Sequence, residues 1–138
     1  MWQWLNFRHG KGARNLGRRG EALAARFVKR RGMRVVARGQ RLRPGELDLV
    51  AVDGETVVFI EVKTRKSGEA GHPSEAVDTN KQRRLTRVAL AFLKGHGLLE
   101  YRSRFDVIAI TWPEGRGEPK IDYYENAFQP EGFGNMHA

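Results

Sequence analysis

The sequence predicts an α/β domain in which helices flank a mixed β-sheet, with elements in the order α-β-β-β-α-β-β. Three observations support this prediction. Apolar residues recur at helical spacing in two segments, and a hairpin dipeptide, Asp53-Gly54, joins two apolar segments. Those two segments, residues 47–52 and 57–62, are apolar on both faces, as in strands that are covered on both sides.

The two predicted helices have recognisable ends. The first covers residues 15–31, with an apolar stripe along one face, and Gly32 supplies the expected stop. The second begins at a cap formed by Asp78 or Thr79 and runs to about Lys94, close to two glycines. Because each helix has an apolar stripe, we expect both to pack against the sheet.

Five strands are predicted around these helices. The first strand precedes a basic turn at residues 39–44, which leads into the hairpin. Asp106, an acid within the fourth strand, is expected to pair with Arg104 or Arg102. Outside the hairpin, the strands are predicted over residues 33–38, 104–112 and 120–124.

Composition restricts the class of protein. The 138 residues suit one domain, predicted over residues 15–128, between a basic and aromatic extension at 1–14 and a tail at 129–138. The absence of cysteine excludes disulfides and thiolate zinc sites, and the four histidines show no metal-ligand spacing. No apolar run is long enough to span a bilayer and the start lacks a signal-peptide core, so we expect a cytoplasmic protein without a membrane partner.

The net charge points to a polyanionic partner. Lys and Arg number 25 against 16 Asp and Glu, which gives +9 at pH 7. The basic residues are spread over loops and two helices, and do not lie on one amphipathic membrane helix, which favours nucleic acid over an anionic membrane. A basic surface that serves only solubility is the alternative.

The hairpin is unusual because it carries charge within apolar strands. Side chains alternate between faces with period two, so Glu61 and Lys63 are expected on one face of the second strand. On the first strand, Glu46 and Asp48 are expected to share a face with Val50. The sequence therefore predicts several charges on a single face of a covered sheet.

The two-residue turn expected at the hairpin sets a register. It places Asp48 opposite Phe59 and Glu46 opposite Glu61, so that Asp48 and Glu61 are diagonal neighbours with Cβ atoms about 7 to 8 Å apart. Converging carboxylates repel and call for a cation, which Lys63 supplies in part and a divalent metal with oxygen ligands would complete. The alternative is an ordinary hairpin with one solvated face. The apolar residues on both faces of the two segments argue against this alternative.

These charged residues also carry a resemblance to a known family. Asp48, followed on the next strand by the triplet at residues 61–63, resembles the signature of PD-(D/E)xK nucleases. More closely, GELDLVA with VVFIEVKTR is similar to the YraN-like family, whose other blocks match in order as GRRGEALAA, KQRRL, RFDVIAI and NAF. The family resembles archaeal Holliday-junction resolvases in fold, which implies a restriction-endonuclease-like α/β core over about residues 15–128.

The resemblance implies a metal-dependent endonuclease that hydrolyses phosphodiester bonds in DNA, with structured or branched DNA as the expected substrate. Asp48 and Glu61, with the Val62 carbonyl and with Glu21 from the first helix, would hold Mg²⁺ or Mn²⁺. Lys63 would orient or deprotonate the attacking water. A resolvase-like role is also consistent with a homodimer. For Glu21 the alternative is an acid in the first turn that interacts favourably with the helix dipole.

Several basic or polar side chains near the proposed site are candidates for contacts with phosphates. They are Arg41, Arg43, Arg65, Lys81, Gln82 and Arg84. Lys81 and Gln82 also match a Lys-Gln pair of the family. An exposed basic face without a ligand is the alternative for each of the basic ones.

The sequence leaves two other functions open. One is a non-catalytic nucleic-acid-binding module on a nuclease fold, in which the acidic cluster is structural. The presence of all three signature residue types favours an enzyme over this module. The other is a basic protein that docks on another protein or on ribosomes.

Overall fold

A computed structural model describes residues 13–43, 45–68 and 78–129. Its elements are α1 (Ala13–Arg30), β1 (Arg34–Leu42), β2 (Gly45–Asp53), β3 (Thr56–Lys66), α2 (Thr79–Gly95), β4 (Arg102–Trp112) and β5 (Lys120–Phe128). This order confirms the predicted α/β class and the predicted succession of elements. Most of the predicted extension at 1–14 and of the tail at 129–138 lies outside the described residues. Neither described helix is long and apolar enough to cross a bilayer.

The five strands form one mixed sheet in the order β1-β2-β3-β4-β5. β3 and β4 are parallel, and the other neighbouring pairs are antiparallel. A parallel pair requires a crossover connection, and α2 lies in the segment that joins β3 to β4. Asp78 caps α2, because its carboxylate accepts a hydrogen bond from the Lys81 N–H at 2.8 Å, as the sequence predicts.

Each face of the sheet is covered by one helix. The core under α2 contains Phe59, Phe92 and Phe105, and the core under α1 contains Val28 and Leu49. This double coverage explains why the hairpin strands are apolar on both sides. The two helices therefore lie on opposite sides of β2 and β3.

The turn between β2 and β3 lies one residue later than the sequence predicts. Asp53 pairs with Thr56, so Gly54 and Glu55 are the two central residues. Gly54 has a φ of 62°, and a glycine with positive φ at the first central position is what a type II′ turn requires. The dipeptide that carries the turn is therefore Gly54-Glu55.

This later turn changes the register of the hairpin. Val50 lies opposite Phe59, so the predicted pairings of Asp48 with Phe59 and of Glu46 with Glu61 are wrong. Because the turn moves by one residue, each residue of β2 faces a partner two residues further along β3 than predicted. Side chains alternate with period two, so a change of two residues leaves the same side chains on the same face. Continuing the observed register one residue beyond its last pair places Asp48 directly across from Glu61.

Strand β1 extends further than predicted. The sequence predicts a basic turn at residues 39–44, but β1 continues to Leu42, which pairs with Gly45 on β2. Gly39 has a φ of 56°, which glycine adopts at little cost, so the strand accommodates this angle without ending. The predicted turn is therefore wrong over 39–42, and β5 likewise runs past the predicted residue 124 to Phe128.

Candidate active site

β2 and β3 separate at one end of their shared ladder. Their last backbone pair is Leu49 with Ile60, and beyond it the N–H of Val62 donates a hydrogen bond to Oδ2 of Asp48 at 2.9 Å. The side chain of Asp48 thus replaces a backbone acceptor and is held in the fork between the two strands. Side chains from both faces of the sheet can meet in this fork.

The alternation of side chains along β2 is interrupted in the fork. Leu47 and Val50 both belong to the core under α2, although residues three apart on a regular strand lie on opposite faces. Gly45 also faces α2, because a Cβ atom there would lie 3.3 Å from Val88. Glu46 lies between Gly45 and Leu47 and therefore faces α1. The prediction that Glu46 shares a face with Val50 is wrong, because the alternation breaks between them.

Three carboxylates meet in the fork. Glu21, Glu46 and Asp48 each place a carboxylate oxygen within 4.8 Å of the other two. Glu21 is only 9% exposed and reaches the fork from α1, which packs so closely on β3 that a Cβ atom at Gly20 would overlap the Thr64 methyl group. Octahedral coordination places the ligand oxygens of Mg²⁺ about 3 to 4 Å apart, so the observed separation is close to that of a metal site.

Glu61 extends this cluster and meets two lysines. Its carboxylate interacts with that of Asp48. Its Oε2 lies 2.7 Å from Nζ of Lys81 and 3.9 Å from Nζ of Lys63. The four carboxylates outnumber the two ammonium groups, and when all six are ionised a divalent cation would balance the excess.

The pKa values of three carboxylates in the cluster are raised, which means that their negative charges are unfavourable without a cation nearby. Burial, followed by the charge of Glu46, raises the pKa of Glu21 to about 7. Burial also raises the pKa of Glu46, and burial together with the contact with Glu61 raises the pKa of Asp48 well above its usual value. Burial acts in the same direction on Glu61, but the interaction with Asp48 and the charge of Lys81 outweigh it and lower the pKa of Glu61. Raised carboxylate pKa values in one cluster are typical of functional sites.

The two lysines differ in their electrostatics. Burial, and then the neighbouring Lys81, lowers the pKa of Lys63 despite the opposing charge of Glu61. Burial acts in the same direction on Lys81, but the charge and the hydrogen bond of Glu61 outweigh it and raise the pKa of Lys81. Lys63 is therefore neutral, and available to accept a proton, in a larger fraction of molecules than Lys81, and Lys81 is the more stable counter-charge for Glu61.

The structure gathers four of the predicted catalytic and metal-binding residues in the fork: Glu21, Asp48, Glu61 and Lys63. Val62 lies beside them. The contact that the structure shows for Val62 runs from its N–H to Asp48, and the predicted use of its carbonyl as a metal ligand stays a prediction.

Glu46 is a member of the cluster that the sequence-based prediction misses. Its signal in the sequence is its place two residues before Asp48, in a strand where acids are unusual. The predicted register places Glu46 opposite Glu61 and on the same face as Asp48, but the prediction counts Glu46 only as one of the charges on that face and not as a metal ligand. The break in alternation that turns Glu46 toward α1 could not be predicted from the sequence, because a period of two residues assumes that the alternation is unbroken.

The predicted phosphate contacts fall into two groups. Lys81 and Arg84 line a cleft of about 220 Å³ together with Asp48 and Glu61. The other four are not in the lining of this cleft: Arg41, Arg43, Arg65 and Gln82. Contact of any of the six with nucleic acid stays a prediction.

Comparison with known proteins identifies the family. The family model described as "Uncharacterised protein family UPF0102" matches residues 20–110. This range contains every member of the acidic cluster. A UPF0102 protein of Anaeromyxobacter dehalogenans is 47% identical over 123 residues, which cover 89% of this chain and 90% of the relative. UPF0102 protein RB9115 of Rhodopirellula baltica is 43% identical, with 89% and 75% covered, and UPF0102 protein GSU0650 of Geobacter sulfurreducens is 47% identical, with 83% and 88% covered. These matches confirm the YraN-like assignment, and the chain belongs to the uncharacterised protein family UPF0102.

Proposed function

We propose that this chain is a metal-dependent endonuclease that hydrolyses phosphodiester bonds in DNA. The observation that carries the proposal is the fork between β2 and β3, where oxygens of Glu21, Glu46 and Asp48 lie within 4.8 Å of one another. A cluster of carboxylate oxygens suits a hard cation such as Mg²⁺ or Mn²⁺. Because water is the nucleophile in such hydrolysis, no Ser, Cys or His is required at the site.

The residues of the fork have distinct roles in this proposal. The ion would be held by Glu21, Glu46, Asp48 and Glu61, with the Val62 carbonyl as a further candidate ligand. When bound, the ion would polarise the phosphate and activate a water molecule. Lys63, whose pKa is lowered by burial, would orient the attacking water and accept its proton. Lys81, at 2.7 Å from Glu61, keeps that carboxylate ionised.

Charge supports nucleic acid as the substrate. The chain carries a net +9, and Lys81 and Arg84 lie in the cleft beside the carboxylates, where a scissile phosphate would enter. The resemblance to resolvases favours DNA over RNA and, among DNA forms, structured or branched substrates. A resolvase-like activity would use a two-fold homodimer to cut two strands.

The proposal is tested with a panel of labelled branched, nicked, single-stranded and duplex DNA, incubated with Mg²⁺ or Mn²⁺. We expect the unaltered chain to cleave at least one of these substrates. Cleavage should be lost in Asp48→Asn and in Lys63→Ala, whereas both variants should still bind DNA. The exposed Glu55→Gln change, at the hairpin turn, is the matched control and should cleave normally. Cleavage that persists in both site variants would overturn the proposal.

One contact favours a second candidate, a non-catalytic nucleic-acid-binding module on a nuclease fold. Lys81 lies 2.7 Å from Glu61 and partly neutralises that carboxylate without a metal. In this case the unaltered chain would bind each DNA of the panel with the same affinity in the presence and absence of Mg²⁺, and it would cleave none of them.

A further inference from the structure

A second basic surface lies on the side of α1 that faces away from the acidic cluster. A groove of about 750 Å³ separates α1 from the segment that joins β4 to β5, and Arg19, Arg26 and Arg30 line it. With 3.6 residues per turn, these three positions fall within roughly 40° of arc on one helix face, whereas Glu21 lies roughly 200° around the helix from Arg19. The same helix thus presents an acid to the fork and three cations to the groove.

The three arginines of this groove are available for a ligand. All three are exposed, and among the described residues no carboxylate forms an ion pair with any of them. Glu118 is the one acid among the described lining residues, so positive charge dominates the groove. A concave surface of one sign concentrates ligands of the opposite sign.

Trp112 holds one of these cations in position. The guanidinium carbon of Arg19 lies 4.4 Å from the centre of the Trp112 ring. A guanidinium held over an indole face is attracted to the ring, and its N–H groups can still bind two oxygens of one phosphate. Contact with the Trp112 ring therefore restricts the position of the Arg19 guanidinium before any ligand arrives.

The rest of the groove is partly apolar. Leu23, Phe27 and Ile121 line it together with Trp112. Apolar and aromatic surface beside arginines suits an unpaired nucleic-acid strand, whose bases contact the apolar part while its phosphates contact the cations. A membrane surface is flat and would not enter a groove between a helix and a loop.

We propose that this groove binds an unpaired nucleic-acid strand through its phosphates, as a second contact region separate from the acidic cluster. The inference rests on the proposed nuclease function, since it locates where a strand of the substrate continues beyond the site. Arg19, Arg26 and Arg30 would each contact a phosphate, and Trp112 would position Arg19. A substrate with an unpaired arm would thus be held on both sides of α1.

The test is equilibrium binding of a labelled single-stranded oligonucleotide by the full chain in EDTA, so that cleavage cannot contribute. The triple variant R19Q/R26Q/R30Q is compared with R34Q/K94Q/R102Q, which removes three charges from exposed positions elsewhere. For R19Q/R26Q/R30Q, the groove variant, we expect the negative slope of log K against log salt to become less steep by about 2, at about 0.7 per phosphate contact. We also expect its affinity to fall about tenfold or more. The control variant should change much less.

A single substitution separates position from charge. Trp112→Leu keeps all three arginines but removes the ring under Arg19, and it should weaken binding by roughly threefold or more, with part of the salt dependence retained. Equal losses in the groove variant and its control would show that only net charge matters and would overturn the proposal. The groove variant is also tested for binding to anionic vesicles. If it loses binding to vesicles but binds DNA as tightly as the unaltered chain does, the proposal would be overturned as well. Groove-dependent binding by a chain that cleaves nothing would support the groove while removing the nuclease function.

Discussion

The N–H of Val62 donates a hydrogen bond to Oδ2 of Asp48 at 2.9 Å, and this bond joins β2 to β3 just after their backbone ladder ends. An amide oxygen can accept the same bond, so Asn at position 48 would remove the negative charge without removing the contact. Asn is therefore a more selective probe of the acidic cluster than Ala, which would remove both.

Asp48→Asn should stabilise the metal-free protein. Burial and the contact with Glu61 raise the pKa of Asp48, so its ionised form is unfavourable in the folded state. Removing this charge should raise the free energy of unfolding by about 1 kcal/mol and should reduce the stabilisation by Mg²⁺. Denaturant unfolding with and without Mg²⁺ measures both effects. A metal-free variant that is clearly less stable than the unaltered chain would show that the carboxylate is structural.

The metal-free protein should lose stability as pH rises from about 4.5 to about 7. The pKa of Glu21 is about 7 in the folded chain, above the ordinary value of 4.5, so the folded state binds the proton more tightly over this window. The contribution of Glu21 should fall by about 2 kcal/mol across it, after allowance for screening by solvent. Unfolding measured at several pH values tests this dependence. Glu21→Gln should flatten it and Glu55→Gln should not, and an unchanged slope in Glu21→Gln would refute the assignment.

Removing the charge of Lys81 should make the protein more dependent on metal. Lys81 lies 2.7 Å from Oε2 of Glu61, which is 9% exposed, so Lys81→Gln leaves a buried carboxylate with only the more distant Lys63. We expect a loss of about 2 kcal/mol without metal, part of which Mg²⁺ should restore, because a dication can replace the missing charge. Thermal unfolding with and without Mg²⁺ gives both values. The exposed Arg83→Gln change on the same helix is the control, and equal metal responses in the two variants would argue against a shared site.

Close packing of α1 on β3 positions Glu21, and glycine at position 20 makes this packing possible. A Cβ atom at Gly20 would overlap Cγ2 of Thr64, so Gly20→Ala should cost about 1 to 3 kcal/mol of stability and weaken metal binding through the displaced Glu21. Gly17→Ala meets nothing within 4 Å and should stabilise the helix by up to about 1 kcal/mol. Thr64→Ser removes the obstructing methyl group and should rescue Gly20→Ala. Failure of this rescue would mean that another contact limits the approach of α1.

The elements of the fold were predictable because their signals are local. Asp78 caps α2 through the N–H of Lys81, three residues away, and the buried Leu85 and Phe92 follow helical spacing. The pairing of Asp106 with Arg104 likewise joins residues two apart on one strand, and the structure confirms it with an Nε to Oδ1 distance of 3.1 Å. Coverage of the hairpin on both sides follows from its apolar residues.

The details of the site depend on contacts between distant segments. Both Asp53-Gly54 and Gly54-Glu55 suit a two-residue turn, and the packing of whole strands decides between them. Glu46 joins the cluster because the alternation of β2 breaks at the fork, a feature set by the neighbouring strand and by α1. Lys81 approaches Glu61 only because α2 packs on the sheet, so the sequence predicts Lys81 as a phosphate contact or an exposed cation and does not predict its ion pair with Glu61.

Calorimetric titration of Mn²⁺ into the metal-free protein tests the central claim most directly, because it does not require the substrate to be known. The acidic fork predicts saturable binding by the unaltered chain, weakened about tenfold or more in Asp48→Asn and in Glu21→Gln and unchanged in the exposed Glu55→Gln variant. Absence of binding by the unaltered chain, or binding of equal strength in all four proteins, would contradict the assignment of this fork as a metal site.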